Sequence, residues 1–203
     1  MGAQERERKV YRPLRRAGLK VIPDAVPAGT IPFVLGYGAE DVAGGFSYPY
    51  DTPKLVERLN ESWYDLAVSA GLFDDRRESL LQLPQGVRSH QAIVRDGGDG
   101  DRGAPEAWTR VRLLDRWDIM GRGAQSAFLG IHAGHPGFGM PALDGSVYIR
   151  CSTGERGVDV LEVRRPDRSE SVLRFLERIV AQDEPFGRHR EFKKRIAAWL
   201  RER

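Results

Sequence analysis

Cysteine is almost absent from this chain of 203 residues, where Cys151 stands alone. A lone cysteine excludes an intrachain disulfide and any zinc site built from several thiolates. It fits a reducing compartment, and cytoplasmic is the expected localisation. No apolar run approaches the roughly 18–20 residues of a membrane span, so no membrane span is expected. The opening run Gln4-Glu5-Arg6-Glu7-Arg8-Lys9 has no apolar stretch and does not read as a signal peptide. Catalytic signatures are missing too. There is no G-x-S-x-G elbow for a nucleophilic serine, no internal repeat and no heptad run.

What is present is a polarised charge map. Residues 1–20 carry seven Lys/Arg against two Glu, and residues 186–203 repeat that count. The whole chain is only +3, so the stretch between the ends is net acidic. Such polarity bears on encounter partners rather than on fold. It points to a partner with an acidic surface. Three regions follow: a basic, loop-rich lead-in over residues 1–50, a core over residues 51–185, and a basic helix over residues 186–203.

Residues 4–17 read as a short charged helix carrying Val10 and Leu14. Prolines 23, 27, 32 and 49 break up the next stretch, leaving one short strand at Ile31–Leu35. Thr52 as cap and Pro53 at the first helical position open the clearest helix, which Gly71 stops. Val56, Leu59, Trp63, Leu66, Ala67 and Ala70 form its apolar face, with Lys54, Glu57, Arg58, Asn60 and Glu61 opposite. A shorter helix is predicted over Asp74–Leu83. Strands are predicted at Val87–Val94, Trp108–Leu114, Ala127–Ala133, Ser146–Cys151 and Val158–Val163, the first two as a hairpin with a mobile tip. Asp144-Gly145 is the strongest tight-turn signal. A helix capped by Asp167 or Ser169 carries Val172, Leu173, Phe175, Leu176, Ile179 and Val180. Pro185-Phe186-Gly187 breaks it before a final helix, Arg188–Glu202, striped by Phe192, Ile196, Trp199 and Leu200. The fold class is α+β: a central, mostly antiparallel sheet of five or six strands flanked by helices, ending in a basic amphipathic helix.

Candidate chemistry is sparse. His132 and His135 are weak metal-ligand candidates that need a third ligand, such as His90 or Asp144. Their spacing of three, at a strand end, is not that of zinc proteases, so hydrogen-bonded structural histidines are the preferred reading. Gly134–Gly139 is glycine-rich, but Met140-Pro141 follows where a phosphate loop needs a helix N-terminus, so it reads as an irregular connection. Asp96, Asp99 and Asp101 lack the flanking helices and bidentate Glu of a calcium loop. Cys151 lies beside Arg150 and reads as small buried core rather than as a reactive thiol. Trp63, Trp108 and Trp117 read as core. Trp199 sits on the basic helix, where the choice is packing or a partner anchor. Neither a cofactor nor a metal is expected.

The segments Ala127–Ile131, Ala142–Ile149 and Ser169–Leu176 give strand, tight turn, strand and capped helix. This order is similar to the C-terminal half of the SUKH superfamily, α+β modules often found as bacterial immunity proteins against polymorphic toxins. Asp144, Gly145, Val147, Ser171, Phe175 and Leu176 occupy the matching places. The resemblance implies a non-enzymatic scaffold whose sheet face or cleft captures a partner protein.

The expected function is therefore non-catalytic binding of a macromolecule, as an immunity-type protein. Arg188, Arg190, Lys193, Lys194, Arg195 and Trp199 form the expected partner-binding set. A protein partner or an oligomeric assembly leads, with nucleic acid at the basic termini as a further option. The alternatives are a structural subunit of a phage or injection-tail particle, and a small-ligand or metal-dependent enzyme using His132 and His135.

Overall fold

The computed structural model describes residues 11–22, 26–84, 106–126, 128–182 and 190–203. In chain order these form α1 (Arg12–Arg16), β1 (Leu19–Ile22), β2 (Val42–Pro49), α2 (Leu55–Ser69), β3 (Glu78–Pro84) and β4 (Glu106–Leu113). A π turn at Ile119–Gly123 and a 3-10 turn at Ala124–Ser126 follow. Then come β5 (Gly130–His132), β6 (His135–Pro136), β7 (Phe138–Pro141), β8 (Val147–Thr153), β9 (Gly157–Arg164), α3 (Glu170–Ala181) and α4 (Arg190–Glu202). No helix among the described residues is long and apolar enough to cross a membrane.

The fold is α+β with antiparallel strands, as the pattern of elements implies. The strands fall into a four-stranded sheet of order β2-β9-β8-β7, a three-stranded sheet of order β1-β4-β3, and the short pair β5-β6. β3 runs beside β7, which brings the two larger sheets into one layer. Side chains alternate across that layer. Val147, Ile149 and Cys151 of β8 point to one apolar cluster, and Tyr148 between them points to another. Leu81, Val111 and Leu113 join the first cluster, while Leu80 and Trp108 join the second. α2 covers the first face with Leu59, Trp63 and Ala67, all fully buried. α3 and α4 cover the second with Val172, Leu176 and Ile196.

Several local expectations hold for the reasons that motivated them. Asp144 accepts from the Ser146 backbone N–H (2.9 Å) and hydroxyl (2.6 Å), which shapes the turn into β8. Ser169 caps α3 by accepting from Val172 N at 3.1 Å. Gly71 adopts φ +78° just beyond α2, and Leu72 N returns to Ala67 O. Trp63 and Trp108 are core, and Trp117 packs against it.

Other expectations are corrected. Asp74–Leu83 is not a helix. Asp74 accepts from Arg76 N and Glu78 N in a turn, and β3 follows. The adjacent pair Leu80-Leu81 mimicked a helical run because β3 is covered on both faces, so successive residues are both buried. β4 takes β3 as its partner, pairing Glu78 with Arg112 and Pro84 with Glu106. The predicted strand Val87–Val94 and the Asp96–Asp101 tip lie outside the described residues.

Ile31–Leu35 forms no strand. Its apolar side chains Ile31 and Val34 plug into the second cluster from irregular chain. The strand of this region is β2, whose glycines disguised it. At Gly45, φ is +149° and a Cβ would lie 2.3 Å from Val160 O, so only glycine fits beside the register shift there. Thr52 and Pro53 belong to the turn that follows β2, and α2 begins after Lys54, whose φ is +56°. The Gly134–Gly139 stretch is regular in part, contributing β6 and the start of β7. Within residues 1–50, β1 and β2 are built into the two larger sheets.

Candidate functional site

α4 presents the expected partner-binding set. Its apolar stripe is consumed by the fold. Ile196 is fully buried, and Phe192, Trp199 and Leu200 pack against the second cluster. Phe33 meets Phe192 edge-on with ring centroids 5.5 Å apart. Trp199 donates its indole N–H to Gly29 O at 2.9 Å, tying α4 to the loop before Ile31. The indole N–H is thereby committed to the fold, while the ring is only partly buried.

The cations divide in two groups. Arg190, Lys194 and Arg195 are exposed, as are Arg201 and Arg203, which the sequence pattern did not single out from their neighbours. Arg190, Lys194 and Arg201 stand four and seven residues apart, so they share one helical face. Arg195 lies over the Phe192 ring and Arg203 over the Trp199 ring, at 5.7 and 5.6 Å from the centroids. Each guanidinium thus lies against a ring of the aromatic stripe while the residue stays exposed. Lys193 turns the other way. Its ammonium donates to Gln182 O, at the C-terminal end of α3, where helix carbonyls attract a cation. Arg188 lies outside the described residues.

His132 and His135 do come together, with ring centroids 5.8 Å apart. His135 stacks on Tyr50 at 4.9 Å, its Nδ1 is 3.2 Å from Ala133 O, and Tyr50 donates to Gly154 O at 2.5 Å. No group of three or more His, Cys, Asp or Glu gathers for a metal among the described residues. His90 lies outside them, and the Asp144 carboxylate is committed to Ser146. Cys151 is fully buried, and burial pushes its thiol up despite the opposing pull of Arg150, so thiolate chemistry is closed to it at neutral pH.

One polar constellation escaped the sequence pattern. Asn60, read as a solvent-facing residue of α2, is half-buried. It donates to Asp118 Oδ1 and accepts from Met120 N, both at 2.9 Å. Asp118 also accepts from Gly121 N (2.9 Å) and Arg122 N (3.0 Å). Burial pushes the Asp118 carboxyl up. Hydrogen bonds from Arg122 N, Asn60 and Gly121 N outweigh that and hold it below the ordinary aspartate value. No local motif flags Asn60, because its partners lie about sixty positions downstream. No family model, curated protein or solved structure matches the chain.

Proposed function

We propose that this protein is a non-catalytic binding module that captures an acidic partner protein through the outer face of α4, in the manner of an immunity-type protein. One observation carries the reading: the helix spends its apolar stripe inside the fold while Arg190, Lys194, Arg195, Arg201 and Arg203 are exposed. A basic helix docked on a rigid core presents charge without the ordering cost of a free tail. Cations of this kind steer encounter and set partner choice more than they stabilise the fold. The order of turn at Asp144-Gly145, β8, β9 and Ser169-capped α3 is what supports the SUKH-like, immunity-type version.

The test is capture from native lysate with stepwise salt elution, in nuclease-treated and untreated arms, by the wild type and a variant with all five α4 cations changed to Gln. A stoichiometric protein that survives nuclease and is lost by the folded variant is the expected result. Undiminished capture by that variant overturns the α4 surface. Nuclease-sensitive material released by moderate salt overturns the protein partner in favour of nucleic acid.

A further inference from the structure

A second basic site lies apart from α4, where α1 meets the turns in the middle of the chain. A groove of about 540 Å³ runs between α1 and the π turn, lined by Pro13, Arg16, Arg122, Gln125 and Ser126. Its walls are held rigidly. Asp118 N donates to Ala17 O at 2.9 Å, and Gly18 packs so closely that a Cβ there would lie 2.4 Å from Trp117 Cα. On the far side, Asp118 and Asn60 fix the backbone that carries Arg122.

The groove's side-chain donors are unspent. Neither Arg16 nor Arg122 enters an ion pair among the described residues, and the Gln125 amide has no described partner. Ser126 Oγ accepts from Phe128 N at 3.3 Å, which leaves its hydroxyl proton to donate. Arg122 does feel the charge of Asp118, but three donors already occupy that carboxylate. The contrast is a groove of about 570 Å³ along α3, lined by Ser171, Arg174 and Arg178 among others. There Arg174 pairs with Glu170, Ser171 donates to Glu40, and Arg178 covers Phe175. Those donors are used by the fold itself.

We propose that the Arg16–Arg122 groove binds a phosphate group. Two guanidiniums, a carboxamide and a hydroxyl offer more donors than a carboxylate's two oxygens can engage, and they suit the several oxygens and double charge of a phosphate. Pro13 supplies an apolar wall, and the volume leaves room for the organic part of a phosphate monoester.

The test is titration of the full chain at constant ionic strength, followed by backbone amide NMR. The ligands are inorganic phosphate and glycerol 3-phosphate, with chloride as control. Saturable shifts at Arg122, Gln125 and Ser126 are expected. The Arg16→Gln/Arg122→Gln variant should bind at least about tenfold more weakly, while Arg168→Gln, at an exposed position between β9 and α3, leaves affinity unchanged. Both arginines are exposed, so the variant should keep its thermal midpoint. Tighter binding of glycerol 3-phosphate assigns an organic phosphate, and equal binding assigns the free ion. Absence of saturable binding by the wild type, or equal affinity in the folded double variant, overturns the site.

Discussion

The two faces of the β layer are covered by helices in different ways. On one face α2 is held by apolar burial and by polar ties. Trp63 meets Phe73, Trp117 and Phe138 edge-on, Tyr48 shares a hydrogen bond with Ser62 at 3.0 Å, and Asn60 grips the π turn. On the other, α4 is held mainly by its stripe, with Trp199 and Lys193 each bonded to a single backbone carbonyl. The π turn is itself a rare local geometry that persists only when its surroundings fix it. Face one thus reads as a specified, rigid half of the molecule. Face two reads as a helix laid on a finished sheet with its charges outward. The difference separates the residues that determine the fold from those left available to meet a partner.

That contrast can be broken first at Trp63. Trp63→Ala empties the centre of the first cluster and should cost about 3–5 kcal/mol, read by urea unfolding as a global, cooperative loss. A loss confined to α2 would show that the first face is not the organising half. Ile196→Ala, the only fully buried residue described on α4, should cost about 2–5 kcal/mol at most. Hydrogen exchange should then show α4 opening before the sheets do. Simultaneous exchange of α4 and β8 would erase the distinction between the faces.

The smallest expected effect sharpens the polar side. Asn60→Ala should cost about 1–3 kcal/mol at neutral pH by leaving Met120 N and Asp118 short of a partner. The depressed Asp118 carboxyl stabilises the fold above its unfolded value near 3.9, and that contribution fades as pH falls through the lower folded value. The Asn60→Ala penalty should therefore shrink as the pH falls below about 4. A penalty independent of pH would show that Asn60 acts on Met120 N alone.

Legibility in the sequence followed the range of the interactions. α3, with its Ser169 cap, and the Asp144-Gly145 turn were readable because their determinants lie within three residues of one another. β2 was hidden because its glycines answer to β9, more than a hundred positions away. β3 was misread because burial on both faces removes the alternation that marks a strand. For the site, the concentration of cations on the last helix was legible from composition. The turning-in of Lys193 and the bond from the Trp199 indole N–H to Gly29 were not, since each depends on a carbonyl supplied by another part of the fold.

By itself, then, the sequence determined the α+β class, the amphipathic helices, the local caps and turns, and the charge polarity of the two ends. All of these are set by side-chain chemistry and periodicity over a few residues. Only the tertiary structure decided which cations face outward, how the strands divide between sheets, and that Arg16 and Arg122 line one groove. Those outcomes depend on contacts between residues far apart in the chain, whose meeting is fixed by competition for a shared core rather than by any local preference.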